Sequence, residues 1–342
     1  MVIRPVDIKS ESDIQALSEI WRVCFTDDQS YIHSFINDCL PHTISWFLLH
    51  QDRPVSLLSL LPSYALSPTN QRISPLKAPS SDHMTKLYGA YIYGVATLPA
   101  YRRNSYSQML LNKAIAYSKE MGFDYIVIKP ADKSLFEFYR KVGLDTTLYN
   151  NRYIFHLSQN RADSSFDNIN HTSYLHAGIP SDKVESDKVE IGQCNNYFIS
   201  PLDSKEGCDH FTPLSSEQLL ILRERYSSYS FLWPPEILRY ALIEILSRSG
   251  VVAVTQGDLY LIAYPTSAYN INLLETNAET PIQLNRVINY LQKLFPKATT
   301  ITIDRAAPNR ANQHLCALLK VLNPDHNIVE ALSCLYLSLS ME

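Results

Sequence analysis

The order of predicted strands and helices is the feature that constrains the fold of this chain most. Segments with apolar residues at helical spacing, such as residues 12–24, alternate with short apolar runs typical of buried strands, such as residues 125–129. The order β-α-α-β-β-β-α-β-α-β occurs once in each half of the chain. We therefore expect an α/β protein (α+β, with a mixed sheet) in tandem, although the halves share no clear sequence identity.

The predicted elements before residue 159 are separated by turns and by one Pro-rich loop over residues 67–83. The strands are predicted at 2–6, 43–50, 54–64, 87–97 and 125–129, with a closing pair of strands around Asn150-Asn151, and the helices at 12–24, 29–39, 103–122 and 133–142. In the second half, the strands are predicted at 197–201, 251–255, 259–265, 271–275, 299–303 and 331–340, and the helices from about 215 and at 235–249, 281–295 and 309–322.

A polar stretch over residues 159–192 separates the halves and contains the sequence SDKVE twice in succession. It buries too little apolar area to offset its ordering entropy, which predicts a linker or long loop. A chain of 342 residues, 46% hydrophobic and 19% charged, has enough apolar residues for two packed domains. We predict domains over 1–158 and 193–342.

Composition argues against several classes of protein. The net charge of −4 disfavours a protein that grips a nucleic-acid backbone. Six cysteines without a CxxC pair indicate reduced thiols, and neither a leader-like apolar segment nor an apolar run of 18 residues is present, so we expect a cytoplasmic protein with no membrane partner. Only nine glycines occur, and the glycine-containing patterns GxGxxG, Walker A and GxSxG are absent. The metal-binding pattern HExxH is also absent, and we expect no metal.

Residues 91–122 carry the most informative pattern. A strand ends at Thr97-Leu98-Pro99, and Arg102-Arg103-Asn104-Ser105-Tyr106-Ser107 opens an amphipathic helix. This pattern resembles motif A of the GNAT superfamily of N-acetyltransferases, in which V-x-P ends the strand and Arg/Gln-x-x-Gly-x-Gly/Ala starts the helix. Both glycines are serine here.

The resemblance implies acetyl-CoA as co-substrate. Free N–H groups and the dipole at a helix start suit a pyrophosphate, and adjacent arginines add positive charge. We expect the serines to weaken or alter coenzyme binding at worst and not to abolish the site, because residues that are already helical do not need a positive φ and a hydroxyl can donate to phosphate. The strand edge is implied to pair with pantetheine, and one of its N–H groups to polarise the thioester carbonyl. The implied coenzyme-binding residues are Val95, Ala96, Thr97, Arg102, Arg103, Asn104, Ser105, Tyr106 and Ser107.

A second block, residues 124–144, follows at the distance typical of the family. It is similar to the family's N-x(6)-Tyr-x-K-x-GF signature, with Asp132 in place of Asn and Leu144 in place of Phe. The resemblance implies that Tyr139 is the general acid that protonates the departing thiolate. The alternative is a packing tyrosine, since the chain has 22 tyrosines.

The base that deprotonates the acceptor amine is not assigned by the sequence. The strand over 87–97 has no carboxylate, and His83 and Asp132 are weaker candidates. Tyr91 and Tyr93 are predicted to lie on the same face of that strand as Val95 and Thr97, where they could line an acceptor pocket. The alternative is ordinary packing, which is the commoner role of tyrosines in strands. The acceptor is a small-molecule or peptide amine of unknown identity, and a homo-oligomer stays possible.

The second half lacks the coenzyme pattern. The segment Thr276-Asn277-Ala278-Glu279-Thr280 stands where the phosphate-binding loop belongs, with an acidic residue and no arginine. We expect a degenerate GNAT-like copy that binds no coenzyme, because a negative charge disfavours a pyrophosphate. Tandem pairs of this kind resemble bacterial acetyltransferases of the enhanced-intracellular-survival type.

Two other functions are compatible with the fold. A non-catalytic GNAT-fold protein that senses coenzyme A or mediates an interaction is favoured by the loss of both motif glycines. An aminoacyltransferase that takes its donor from tRNA is disfavoured by the acidic net charge and by the pyrophosphate-type helix start. The leading prediction is an N-acetyltransferase that acts by direct attack of the amine in a ternary complex.

Overall fold

A computed structural model describes residues 1–25, 27–68, 84–157, 195–199, 210–226, 231–306 and 313–323. The predicted linker over 159–192, the strand over 331–340 and most of the loop over 67–83 lie outside these residues. The described residues form two compact units. The first comprises Met1–Tyr149, Ser216–Glu244 and the residues from Leu315 on, and the second comprises the remaining residues. The units therefore cross the sequence boundaries expected at 158 and 193.

The elements follow the predicted order over most of the chain. The strands are β1 (Val2–Pro5), β2 (Ile44–His50), β3 (Arg53–Pro68), β4 (Met84–Thr97), β5 (Tyr125–Ile128), β6 (Thr146–Leu157), β7 (Asn195–Ile199), β8 (Thr212–Pro213), β9 (Phe231–Leu232), β10 (Val251–Val254), β11 (Tyr260–Pro265), β12 (Asn270–Thr276), β13 (Thr300–Ala306) and β14 (Gln313–Val321). The helices are α1 (Glu11–Cys24), α2 (Gln29–Ser34), α3 (Tyr106–Glu120), α4 (Leu135–Lys141), α5 (Ser216–Tyr226), α6 (Pro235–Ser247) and α7 (Pro281–Leu294), and a π-helical turn over Phe35–Cys39 continues α2.

In the first unit, β1, β2, β3 and β4 are antiparallel neighbours, β5 lies parallel to β4, and β14 lies antiparallel to β5. The helix predicted over 309–322 is therefore wrong, because this segment forms β14. Residues 316–319 are all buried, and Leu318 faces Ile128 across the pair. A strand covered on both faces shows no period of two, and pairing with a distant strand overrides the helix propensity of Ala and Leu.

The second unit repeats the core of the first. The strands β10, β11 and β12 are antiparallel, α7 crosses over, and β13 returns parallel to β12, as β2, β3, β4, α3 and β5 do in the first unit. The side chains of α7 pack on the sheet through Val287, Ile288 and Leu291. The mixed α/β fold with a repeated GNAT-like order is thus confirmed. Among the described residues, no helix combines the length and apolar character needed to cross a membrane.

The closing pair of strands expected around Asn150-Asn151 is a single strand. Asn150 and Asn151 face Ala306 and Arg305 of β13 in an unbroken antiparallel ladder that runs to His156. Asn-Asn favours a turn locally, but continuous pairing with β13 keeps this backbone extended.

A β-bulge interrupts β4 next to Gly94. Tyr93 faces Ser59 and Ala96 faces Leu57, so three residue steps on β4 oppose two on β3. Gly94 has a φ of +60°, and a Cβ added there would lie 3.1 Å from the Trp21 ring of α1. The isolated glycine in a strand was the sequence signal for this bulge, because glycine adopts the left-handed backbone conformation without strain.

Substitution of Gly94 by alanine should destabilise the first unit. Left-handed backbone costs a residue with a Cβ about 1–2 kcal/mol, and the contact with Trp21 adds to it. Gly122→Ala is the matched control, since Gly122 has a φ of +72° and nothing within 4 Å of an added Cβ. Urea unfolding should show a larger loss for Gly94→Ala, and equal losses would contradict the proposed Trp21 contact.

Three tyrosines are buried beside this bulge in the first unit. The hydroxyl groups of Tyr31 and Tyr93 share a hydrogen bond, and the buried Tyr240 hydroxyl lies near them without a well-aligned partner in the described part of the chain. Burial raises the pKa of each of these phenols above its usual value.

This burial predicts a loss of stability in alkali. The raised pKa values keep the folded phenols neutral, whereas the unfolded phenols ionise near pH 10, so stability is complete below pH 10 and falls as the pH rises further. The midpoint of thermal unfolding measured from pH 8 to 11 should fall less for Tyr93→Phe than for the parent protein. The exposed Tyr88 supplies the control, and Tyr88→Phe should leave the slope unchanged.

Candidate active site

The start of α3 presents a row of unpaired backbone donors. The N–H groups of residues 103–107 donate to no group within the described residues, and the first helical bond runs from the Met109 N–H to the Ser105 carbonyl at 3.0 Å. Arg102 and Arg103 are exposed beside them. Unpaired N–H groups, the helix dipole and two guanidinium groups together favour an anion.

The backbone before α3 is left-handed at two residues that are not glycine. Arg103 has a φ of +66° and Ser105 a φ of +59°. The expectation that the serines would be helical is therefore wrong for Ser105, which precedes the helix, and holds for Ser107, which lies inside it. Ser105 thus adopts a backbone conformation that glycine adopts without strain, at a cost of about 1–2 kcal/mol.

A cavity of about 320 Å³ opens at this helix start. Its walls are polar on the α3 side and aromatic at Tyr101 and Phe138. The lining residues are Thr97, Tyr101, Arg102, Arg103, Ser105, Tyr106, Ser107, Gln108 and Phe138. Among these, sequence reasoning missed Tyr101, Gln108 and Phe138, although Tyr101 and Phe138 each adjoin a residue that it selected.

Three hydroxyl groups connect the strands to α3. The Ser56 hydroxyl donates to the Ala96 carbonyl at 2.6 Å, and Thr97 Oγ1 lies 2.7 Å from Ser56 Oγ and 2.8 Å from Ser107 Oγ. Since each hydroxyl has one proton, Thr97 donates to Ser56 and Ser107 donates to Thr97. Ser107 therefore directs its proton away from the cavity, which leaves the hydroxyl of Ser105 as the serine donor for an anion.

The edge of β4 is open next to this cavity. Pairing between β4 and β5 covers Gly89, Ala90 and Tyr91 only. The Leu98 N–H donates to Val55 of β3, so alternation along the strand directs the backbone groups of Ala96 towards β3 and those of Val95 and Thr97 towards the opening.

Two side chains surround the backbone of Thr97. Arg102 Nε donates to the Thr97 carbonyl at 3.2 Å, which holds the guanidinium group at the cavity. The Cys24 thiol, at the end of α1, lies near Thr97 and Arg102, and burial raises its pKa. Cys24 was not selected from the sequence, since it lies far from both motifs.

The side chains of Asn104 and Tyr106 stabilise the loop before α3, and their polar groups are already hydrogen-bonded within the protein. Asn104 Nδ2 donates to the Tyr101 carbonyl at 3.1 Å, and the Tyr106 hydroxyl shares a hydrogen bond of 2.8 Å with His50 Nδ1. Their contribution to an anion site is therefore their backbone N–H groups.

Tyr139 lies on α4 with 6% of its surface exposed. Its hydroxyl has no hydrogen-bond partner in the described ranges, and burial raises its pKa to about 12. The neighbouring Phe138 ring packs edge-on against it, with centroids 5.1 Å apart. A neutral phenol without a partner is available as a proton donor.

The bulge separates Tyr91 and Tyr93 from Thr97. Because of the additional residue in β4, Tyr93 and Ala96 share a face, and Thr97 lies on the opposite face, which α3 covers. The prediction that the tyrosines share a face with Thr97 is therefore wrong. Both tyrosines are buried in aromatic contacts, Tyr91 against Trp233 and Tyr93 against Trp21.

Of the two weaker candidates for the base, Asp132 does not line this cavity. His83 lies outside the described residues. Asp132 accepts from the Ser134 N–H at 2.7 Å, and hydrogen bonds from Ser134 lower its pKa, which makes it a weaker base. Within the ranges described, no group of three His, Cys, Asp or Glu side chains is arranged to hold a metal ion.

The corresponding helix start in the second unit is already capped. Gln283 Oε1 accepts from the N–H groups of Glu279 and Thr280 at 3.0 Å each, and Thr280 Oγ1 accepts from the Gln283 N–H at 3.2 Å. Pro281 has no N–H to offer. The donors that are free before α3 are therefore occupied before α7 by a capping box.

Replacing Ser105 by glycine should stabilise the protein. The relief of left-handed strain, about 1–2 kcal/mol, exceeds the additional unfolded-state entropy of glycine, so stability should rise by up to about 1 kcal/mol. Ser107→Gly is the control in helical backbone, and it should lower stability by about 0.5 kcal/mol or more. Urea unfolding measures both, and a loss for Ser105→Gly would contradict the assigned strain.

Comparison with known proteins agrees with this geometry. Residues 14–144 match the model of the acetyltransferase (GNAT) family. No curated protein matches the chain in sequence. Eis1 from Mycobacterium abscessus aligns with a TM-score of 0.59 and 13% identity over 94% of this chain and 74% of its own.

Two further solved structures align equally well. A GCN5-related N-acetyltransferase from Kribbella flavida gives a TM-score of 0.58, and a probable N-acyltransferase from Enterococcus faecalis V583 gives 0.60, each at 11% identity over 94% of this chain and 72% of that protein. At such identities the likeness concerns the fold. Residues 14–144 are therefore similar to a GNAT-family domain, within a chain that has the fold of the Eis-type and related GNAT proteins.

Proposed function

We propose that this protein is an acetyl-CoA-dependent N-acetyltransferase that acts on a small-molecule or peptide amine. The similarity of residues 14–144 to the GNAT family supports acyl transfer as the reaction class. The observation that carries the proposal is the juxtaposition of unpaired N–H groups at residues 103–107 with the open edge of β4. The N–H groups suit a diphosphate, and the strand edge suits an amide-containing tail.

In this proposal the first unit binds the coenzyme along one path. The diphosphate accepts hydrogen bonds from the N–H groups before α3 and from the Ser105 hydroxyl, and Arg102 and Arg103 balance its charge. The pantetheine amides pair with the backbone of Val95 and Thr97 as an additional strand would.

The reaction is a direct attack of the neutral amine on the thioester carbonyl. An N–H group of β4 stabilises the developing oxyanion, the C–N bond forms, and the C–S bond breaks as the Tyr139 proton passes to the departing sulfur. The proton that the acylated nitrogen loses passes through water to the Tyr139 phenolate and restores the phenol. With a pKa of about 12, Tyr139 stays protonated across the neutral and mildly alkaline range. Its ionisation therefore sets no alkaline limit on activity below about pH 11.

The first test is stabilisation by ligand. Acetyl-CoA and CoA should raise the midpoint of thermal unfolding by mass action, and AMP should raise it much less. Arg102→Ala should reduce this shift, whereas Arg152→Ala, which lies in the second unit, should not. The absence of any shift at millimolar acetyl-CoA would contradict the proposed site.

The second test is transfer itself, measured as free thiol released in the presence of a panel of amines. Tyr139→Phe should lower kcat about 100-fold or more while the thermal shift with acetyl-CoA is retained. Tyr149→Phe, a partly exposed position, is the control and should leave kcat unchanged. A parent protein that binds acetyl-CoA but acylates no amine would favour a sensor, and unchanged turnover of Tyr139→Phe would remove the acid role from this residue.

A further inference from the structure

We propose that Tyr101 is the stacking platform for the purine ring of the coenzyme and so a specificity-determining residue of the site. This inference rests on the proposed function, because the ligand whose orientation it describes is acetyl-CoA. It assigns a task to a side chain that lines the cavity without taking part in either sequence motif's chemistry.

Tyr101 is held rigidly at the wall of the cavity. It ends a short 3-10 turn over Pro99–Tyr101, and its N–H donates to the Leu98 carbonyl at 2.8 Å. Its ring packs against that of His50, with centroids 5.4 Å apart, and His50 is itself fixed by the hydrogen bond to Tyr106. A half-buried aromatic ring that is fixed in place loses little entropy when a flat ligand stacks on it.

Of the three aromatic residues that line the cavity, Tyr106 belongs to α3 and its hydroxyl is hydrogen-bonded to His50, and the other two lie on different walls. Phe138 belongs to α4 and contacts Tyr139, so it borders the path of the thioester. Tyr101 contacts His50 at the end of β2, which β3 separates from β4. The opening between β4 and β5 therefore lies on the opposite side of β4 from the strand that Tyr101 contacts.

This arrangement fixes the direction of the coenzyme. With its diphosphate at residues 103–107, the acylated tail leaves towards the opening beside β4 and Tyr139. The nucleotide end leaves in the other direction, where the Tyr101 ring lines the cavity beside Arg102 and Arg103. A purine has an apolar, polarisable face that stacks on aromatic rings, whereas the diphosphate gains nothing from a phenol ring.

The experiment compares two acyl donors with the full-length protein. Acetyl-CoA contains the purine, and S-acetyl-4′-phosphopantetheine does not. Tyr101→Ala should raise KM for acetyl-CoA about tenfold and leave kcat and the KM for S-acetyl-4′-phosphopantetheine unchanged, because base stacking contributes to affinity on this scale. Tyr101→Phe retains the ring and should restore the parent KM.

Phe138→Ala is the matched control on the other wall. Since Phe138 borders the pantetheine path, its loss should raise KM for both donors by the same factor. An equal rise for both donors with Tyr101→Ala, or no rise with either, would overturn the assignment of the purine to Tyr101 while leaving the proposed function intact. A parent protein that uses and binds neither donor would instead overturn the proposed function and this inference with it.

Discussion

The loss of pairing between β4 and β5 beyond Tyr91 is the constraint on which the site depends. A parallel pair that continued to Thr97 would occupy the backbone groups of Val95 and Thr97 and close the opening. The bulge at Gly94 changes the direction of β4 at this point, and Trp21 packs directly against it. The apolar packing of α1 therefore helps to create a polar strand edge that no other strand of the described residues covers.

Comparison of the two units separates the features that the fold requires from those that an anion site requires. Both have three antiparallel strands, a crossover helix and a parallel strand, and both have a register shift on the third strand. They differ at the helix start. Donors that are unpaired before α3 are satisfied before α7 by Thr280 and Gln283, which stabilises the helix and removes the anion site at once. The second unit therefore keeps the fold but lacks the unpaired N–H groups at the helix start.

Much of this could be predicted from local patterns. The element order, the strand–helix motif at 91–122 and the missing motif in the second half depend on neighbouring residues, and the structure agrees with them. The predictions that failed depend on distant contacts. Residues 313–321 form a strand because β5 pairs with them, Asn150 is extended because β13 pairs with it, and Thr97 changes face because of the bulge. Cys24 was missed for the same reason, since only folding brings α1 to Thr97.

Ser105 and Ser107 differ in backbone conformation and in the role of the side chain. At 107 the backbone is helical, and the side chain is used to join α3 to Thr97 and, through Ser56, to β3. At 105 the backbone is left-handed, and the residue stores strain in the loop that presents the anion-binding N–H groups. Strain of this size persists only where the surrounding structure fixes the loop, and Asn104 and Tyr106 supply that support through Tyr101 and His50. These hydrogen bonds use the Tyr101 backbone carbonyl and the Tyr106 hydroxyl, so the Tyr101 ring lines the cavity without supporting the loop that presents the anion-binding N–H groups.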